Sequence, residues 1–320
     1  MRILVVRLSA MGDIIHALPV AENARRAGAR VAWLAEPEYA GLLEPAPFLD
    51  RLFLADTKRW RGHPLSVSAR RELFALRRAL CAWAPDVTID TQGLWKSAFL
   101  SRQAGAPVVG FAASQRREPA SSLLCARRVR PSPEARHVVD RNLALAEAAG
   151  VPVRARAPDA AFLLERPNPP PAAEFLSKLP RPFALYHPGA GRPEKAWGEE
   201  NFARVAGRLL SERGLAPVIS WGPGDEPRAR RLAALLPGAA AAPPLDPVGL
   251  AHVIAASSLF VAGDTGPLHL ADALGARTLA LFGPTEPERN GPYRHPASAL
   301  RYNASTSVEA VAGRAAELLA

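Results

Sequence analysis

The sequence predicts an α/β protein made of two doubly wound halves. Short β-branched runs alternate with segments of helical period from end to end, the pattern of parallel sheets covered by helices on both faces. At 320 residues the chain also exceeds the usual size of one domain. Near its middle the proline-rich stretch "ERPNPPPAAEFLSKLPRP" (165–182) reads as a connection. The expected division is a first domain over 1–165, a linker region over 166–181 and a second domain over 182–320. The last helix is open to packing back on the first domain.

Taken in order, the candidate strands are Ile3–Leu8, Arg30–Leu34, Val87–Asp90, Val108–Phe111, Phe183–His187, Pro217–Trp221, Leu259–Ala262 and Thr278–Phe282. The candidate helices are Asp13–Ala27, Ser68–Trp83, Arg136–Ala149, Glu199–Arg213, Asp225–Leu236, Pro267–Gly275 and Ser307–Leu319. No low-complexity tract or short-period repeat interrupts them.

Composition excludes several classes. With 48% hydrophobic and 22% charged residues the chain reads as an ordinary globular protein. It has no 18-residue apolar run of the kind that spans a membrane and no signal-peptide layout at its start. Cys81 and Cys125 make neither a disulfide framework nor a metal site, so a reduced, cytoplasmic location is expected. The formal net charge of +10 is uneven, with 24 basic against 16 acidic residues in 1–165 and 16 against 14 in 166–320. The first half should therefore face the more anionic partner. No zinc-finger, helix-turn-helix or RNA-recognition signature accompanies the charge, so nucleic acid is not the expected partner. Lysine is rare, confined to Lys58, Lys96, Lys178 and Lys195, which singles each of them out.

In doubly wound sheets, ligands bind beyond the carboxyl ends of the strands. Five such loops stand out: "LSAMGD" (8–13), "DTQGLWKS" (90–97), "HPGAGRPEKAW" (187–197), "SWGPGDEP" (220–227) and "AGDTGPLH" (262–269). They are expected to open toward a cleft between the halves. The last is the most informative. A strand ends in Gly263-Asp264-Thr265-Gly266, and Pro267 opens a helix at the position that suits its fixed φ and missing N–H. The free N–H groups and the dipole of that helix favour a phosphate, with Thr265 and His269 as added donors. Taken singly, Asp264 or Thr265 serves equally well as a helix cap; taken together, the set favours a diphosphate.

A Walker A loop and the dinucleotide fingerprint are both missing, "GAGRPEK" (189–195) coming nearest, which points away from an NTPase or dehydrogenase. A diphosphate held without those motifs suggests a nucleotide-sugar donor. Lys195 supplies a cation for the departing nucleoside diphosphate. Asp225-Glu226 offers a carboxylate for ribose hydroxyls, and Asp225 on its own is also a good N-cap for the helix behind it.

Seven segments then carry a family likeness: "SAMGDIIHALP", "KRWR", "DTQGLWKSA", "QRREPASS", "HPGAGRPEKAWGEENFARV", "WGPGDE" and "DTGPLHLADALG". In this order, over essentially the whole chain, they resemble the lipopolysaccharide heptosyltransferases of glycosyltransferase family 9, and its Kdo-directed type in particular. The resemblance implies a GT-B fold of two Rossmann-like domains. It implies inverting transfer of L-glycero-D-manno-heptose from ADP-heptose to the Kdo of Kdo-lipid A, with no metal or other cofactor. The enzyme would then be peripheral on the cytoplasmic face of the inner membrane. On the family pattern Asp13 is the catalytic base and Lys195 holds the donor diphosphate. Ala190, Gly191, Asp264, Thr265, Gly266 and His269 surround phosphates and sugar, Asp225 or Glu226 takes the ribose, and Leu245 lies against adenine. The acceptor side comprises Lys58, Arg59, Arg61, Gln92, Lys96, Arg116 and Arg117. One departure is that Gly189-Ala190-Gly191 stands where family members often carry hydroxyl residues, so backbone N–H groups would replace side-chain contacts. Other readings are a family 9 enzyme for a different sugar or acceptor, a GT-B-fold sugar-nucleotide epimerase, and a non-catalytic glycan-binding protein.

Overall fold

The computed structural model describes residues 1–62, 66–189, 197–303 and 305–320, arranged as two compact units, Met1–Pro158 and Asp159–Ala320. The first unit contains β1 (Arg2–Val6), α1 (Met11–Ile15), α2 (Leu18–Arg26), β2 (Arg30–Ala35), α3 (Ala40–Leu43), β3 (Arg51–Leu54) and α4 (Thr57–Gly62). There follow α5 (Val67–Trp83), β4 (Val87–Asp90), α6 (Trp95–Arg102), β5 (Val108–Phe111), β6 (Arg127–Val129) and α7 (Val138–Ala148). The second unit contains α8 (Pro170–Lys178), β7 (Phe183–His187), α9 (Glu199–Arg213), β8 (Ala216–Ile219), α10 (Glu226–Ala234), β9 (Ala240–Ala241) and α11 (Pro247–Ala256). It ends with β10 (Leu259–Gly263), α12 (Gly266–Ala273), β11 (Thr278–Phe282), α13 (Pro287–Asn290), β12 (Ala299–Arg301) and α14 (Val308–Leu319).

Each unit is built on one six-stranded sheet, ordered β3-β2-β1-β4-β5-β6 in the first and β12-β11-β10-β7-β8-β9 in the second. Every pairing is parallel. In both sheets the chain runs outward from a central strand and then returns to its other side. The order therefore reverses between β1 and β4 and between β7 and β10, the positions where such sheets leave a crevice at their carboxyl edge. The central strands are buried along nearly their whole length, as parallel strands covered on both faces must be.

All eight expected strands are present. Four more lie at or next to the sheet edges, β3, β6, β9 and β12, where burial is partial and no apolar run marks them. The helix expected over 13–27 is two helices. Pro19 sits in the first turn of α2, and its missing N–H ends the ladder that would have continued from α1. The unit boundary falls ahead of the proline-rich stretch, and residues 170–178 of that stretch form α8, whose Ala172 is fully buried. Prolines open this helix rather than break the chain into a linker. The last helix, α14, packs on its own unit. Val311 and Ala315 are buried with Phe202, Val205 and Leu209 of α9.

In the first unit Asn23 replaces a missing strand partner. Its side-chain amide donates to the carbonyls of Pro19 (2.7 Å) and Ala155 (2.5 Å), and its oxygen accepts the N–H of Arg154 and Ala155. This fastens the irregular segment after α7 onto α2.

Candidate active site

At the exit of β1 the chain places a buried cation beneath a partly open carboxylate. The Arg7 guanidinium donates to the carbonyls of Ser9 (3.1 Å) and Thr91 (2.7 Å) and meets the Asp13 carboxylate at 2.5 Å. The same Asp13 oxygen, Oδ2, accepts the N–H of Ala10 at 3.4 Å, so Asp13 does cap the short helix α1. Its other oxygen has no partner among the described residues. The Asp13 side chain is 44% exposed against 10% for Arg7. Capping uses one edge of the carboxylate and leaves the other to solvent. Gln92, expected on the acceptor side, spends its carbonyl oxygen on the N–H of Leu8 (2.8 Å), tying the exits of β1 and β4 together.

A second cluster forms where β2 ends. Glu36, whose side chain is 1% exposed, accepts the N–H of Thr57 (3.0 Å), the Thr57 hydroxyl and the Lys96 ammonium (3.2 Å). Lys58 pairs with Glu38 at 2.5 Å. Burial pushes the Glu38 carboxyl up, but the hydrogen bonds and charge supplied mainly by Lys58 outweigh it and hold the group below its usual range. Burial, followed by the nearby charges of Glu38, Glu36 and Asp13, pushes the Tyr39 phenol up, so it stays protonated.

The basic residues expected to meet an acceptor thus differ in what they have free. Lys96 and Lys58 are engaged by Glu36 and Glu38. Arg59 is engaged by Asp56 and Glu72, and Trp60 donates to Glu72 as well. Arg61 and Arg117 are exposed and have no ion-pair or hydrogen-bond partner among the described residues. Arg116 does not belong with them. Its side chain is fully buried against Asp90 (3.2 Å) and donates to Phe111 O (2.5 Å), Ser121 Oγ (3.0 Å) and Cys125 Sγ (2.8 Å). The expectation that Arg116 binds acceptor is corrected, because every nitrogen of its guanidinium is committed inside the fold. A Cβ at position 110 would collide with that guanidinium, which is why Gly110 stands on β5.

In the second unit the polar residues gather at the carboxyl edge of the sheet. His187 closes β7, with Nδ1 3.1 Å from Ser220 Oγ at the end of β8. Burial pushes this imidazole down to about 4, so it is neutral at ordinary pH. Asp225 leans over the loop leaving β7. A Cβ at Gly189 would lie 2.7 Å from Asp225 Oδ2 and 3.1 Å from His187 Nε2. Glu226 points elsewhere, into an i,i+4 pair with Arg230 (2.7 Å). The spacing in "WGPGDEP" leaves the two acids indistinguishable. The geometry separates them, with Asp225 at the loop and Glu226 on the helix surface.

At the exit of β10, Asp264 and His269 approach to 3.4 Å, both side chains nearly buried. Thr265 occupies the N-cap position of α12 but turns its hydroxyl to Gly263 O (3.2 Å), so no side chain caps the helix. Gly266 is the first residue of the helix. Leu245 is half-buried against Gly249 in the segment that follows β9, and Trp221 Nε1 donates to Ala242 O (2.7 Å), drawing that segment to the exit of β8. Ala190, Gly191 and Lys195 lie outside the described residues.

Four polar residues with a part in this geometry were not singled out from the sequence: Arg7 and Glu36, which lie outside the quoted motifs, and His187 and Asp272, which lie inside them. The last accepts the N–H groups of Tyr293, Arg294 and His295 and anchors the loop before β12 on α12. A charged or imidazole residue at the end of an apolar strand is the one signal that marks the first three.

Two doubly wound units of one connectivity, each with its polar groups at the carboxyl edge of a parallel sheet, make an architecture shared with GT-B glycosyltransferases. The model of glycosyltransferase family 9 (heptosyltransferase) matches residues 73–318. Lipopolysaccharide heptosyltransferase 1 of Pseudomonas aeruginosa is 36% identical over 298 residues, covering 92% of this chain and 81% of that protein. Its namesake in Escherichia coli K12 is 33% identical over 301 residues, 92% of this chain and 91% of that one. The structure of E. coli heptosyltransferase WaaC with ADP matches with a TM-score of 0.84 at 31% identity, covering 99% of this chain and 100% of that one. The chain belongs to glycosyltransferase family 9, and its fold is GT-B.

The buried pair predicts a large stability effect. Arg116→Met leaves Asp90 charged and unpaired in the interior, at a cost of about 3–5 kcal/mol. Asp90→Asn added to it should recover a good part of that loss. Urea unfolding of wild type and the two variants checks this; a single-variant loss below about 1 kcal/mol would contradict the structural role.

Proposed function

We propose that the chain transfers L-glycero-D-manno-heptose from ADP-heptose to the Kdo of Kdo-lipid A, with inversion, in assembly of the lipopolysaccharide inner core. Membership of family 9 and likeness to the heptosyltransferase 1 proteins support heptose transfer in core synthesis. The observation that carries the chemistry is Asp13, fixed through one oxygen by Arg7 and open at the other.

In this reading the open Asp13 oxygen accepts the proton of the acceptor hydroxyl as the hydroxyl oxygen attacks the anomeric carbon of heptose. The bond to the β-phosphate breaks and ADP departs. Negative charge grows on the departing phosphate, where preorganised donors count most. Lys195, the backbone around Ala190 and Gly191, and the uncapped first turn of α12 at Thr265 and Gly266 supply them. Asp264 and His269 line the sugar side, Asp225 takes the ribose hydroxyls and Leu245 lies against adenine. Arg61 and Arg117 meet the anionic groups of the acceptor, with Lys58, Arg59 and Lys96 close to their carboxylate partners. The lipid acceptor places the enzyme on the cytoplasmic surface of the inner membrane as a peripheral protein. Among the described residues no helix is long and apolar enough to cross a membrane.

Asp13→Asn should leave the Kd for ADP-heptose nearly unchanged and lower kcat ~10²–10⁴-fold, the usual weight of a general base. Near-normal turnover would reduce Asp13 to a cap. Positive charge for the leaving diphosphate comes from protein groups, and the sequence has no close D-x-D pair to hold a metal. Saturating EDTA should therefore leave the rate unchanged; loss of rate restored by Mg²⁺ or Mn²⁺ would overturn that part. Arg61→Ala and Arg117→Ala should each raise the acceptor KM about tenfold, the loss of one charge-assisted contact, with the ADP-heptose KM unmoved. A raised donor KM instead would move the acceptor site elsewhere.

A further inference from the structure

Helix α5 has a face that nothing among the described residues of the first unit covers. Of its 17 residues only Ala69, Leu76 and Leu80 are buried. On the opposite side Phe74 is 61% exposed and Val67, two turns earlier, 56%. Arg70, Arg71, Arg77 and Arg78 stand at i−4, i−3, i+3 and i+4 from Phe74, the positions that neighbour it on a helix surface. All four are exposed, and none has an ion pair or side-chain hydrogen bond among the described residues. The one acid on the helix, Glu72, is taken by Arg59 and Trp60 of α4. The face thus combines an exposed aromatic ring with four guanidinium groups that no carboxylate among the described residues neutralises.

The wider charge distribution points the same way. Residues 1–158 hold 24 basic and 14 acidic side chains, and residues 159–320 hold 16 of each, so the first unit carries the whole formal +10. We infer that the Arg70–Arg78 face of α5 docks on an anionic phospholipid bilayer, with Phe74 sunk to the headgroup boundary and the arginines on lipid phosphates. A basic amphipathic helix lies in the interface plane in this way. The ring of charge around an apolar centre fits such a surface better than it fits a nucleic-acid backbone, which offers phosphates but no apolar layer for Phe74. Docking here also brings α4, with Lys58, Arg59 and Arg61, to the lipid surface, because α4 is bonded to α5 through Glu72. The inference deepens the proposed peripheral location of the enzyme by naming the surface responsible, and its binding test needs no substrate.

The experiment is co-sedimentation of the full chain with phosphatidylcholine vesicles, with and without roughly one-third phosphatidylglycerol. Binding should appear only with the anionic lipid at ~0.1 M salt and largely disappear at ~1 M, where the Debye length falls to ~3 Å. Each arginine near the surface should count for about fivefold in partitioning, so Arg70→Gln, Arg71→Gln, Arg77→Gln and Arg78→Gln together should weaken it at least ~100-fold. Phe74→Ala should weaken it about tenfold. Both variants should keep the wild-type thermal midpoint and wild-type turnover on a deacylated, water-soluble acceptor, while losing rate on acceptor embedded in vesicles. Wild-type-like vesicle binding by the quadruple variant would overturn the assignment. So would equal binding of wild type to neutral vesicles, or stronger binding to duplex DNA at matched salt. Turnover on soluble acceptor without vesicle binding sinks this surface and leaves the transfer reading standing; vesicle binding without turnover does the reverse.

Discussion

Arg7 sets the terms for the first unit. A guanidinium held at 8% exposure at the exit of a buried strand must recover its hydration from the protein. Ser9 O, Thr91 O and the Asp13 carboxylate provide that recovery. The requirement shapes the loop between β1 and α1, ties the exits of β1 and β4 together, and fixes Asp13 with one oxygen inward and one outward. Had Asp13 been an ordinary cap, both oxygens would be free to wander over the first turn of α1. Because a buried cation holds it, the carboxylate is directional, as the proposed role of base requires for a proton accepted from a hydroxyl held in a defined pose.

The second unit solves a different problem with neutral groups. His187 is uncharged because burial lowers its affinity for a proton, and it shares the exit of the sheet with Ser220 and a glycine that leaves no room for a side chain. Asp225 reaches over that glycine because Gly189 has no Cβ to block it. A side chain at position 189 would require the Asp225 carboxylate to move aside.

Much of this was legible in the sequence, and what escaped did so for identifiable reasons. The central strands and the long helices announce themselves because burial on both faces writes continuous apolar runs and capped periodic segments. The edge strands do not, since Arg127-Arg128-Val129 pairs with one neighbour and has no face to bury. Helix α11 is apolar nearly all round, so its period carries little signal. Asp264 and His269 meet within a single strand-to-helix turn, while Thr265 turns its hydroxyl to Gly263 O. Arg116 misleads because sequence places it in a basic run beside Arg117 and cannot say that it folds back 26 positions to Asp90. Arg7 and Glu36 were invisible for the converse reason: their partners, Thr91, Thr57 and Lys96, are brought to them only by the sheet.

The unequal division of charge fits the proposed division of labour between donor and acceptor. A diphosphate can be bound by oriented N–H groups and a helix dipole, which cost the fold no net charge, and the second unit is electrically balanced. In the proposed reading the acceptor sits among anionic lipids and offers no such single point of capture, so its approach would be governed by the field of a surface, which a net excess of fixed charge supplies. In the first unit that excess is sorted by burial. Arg7 and Arg116 are neutralised inside and serve the geometry, Lys58, Arg59 and Lys96 are paired with carboxylates, and the arginines of α5 are left uncompensated on the outside. Basic side chains thus fall into three groups, and the number of protein oxygens within reach decides which.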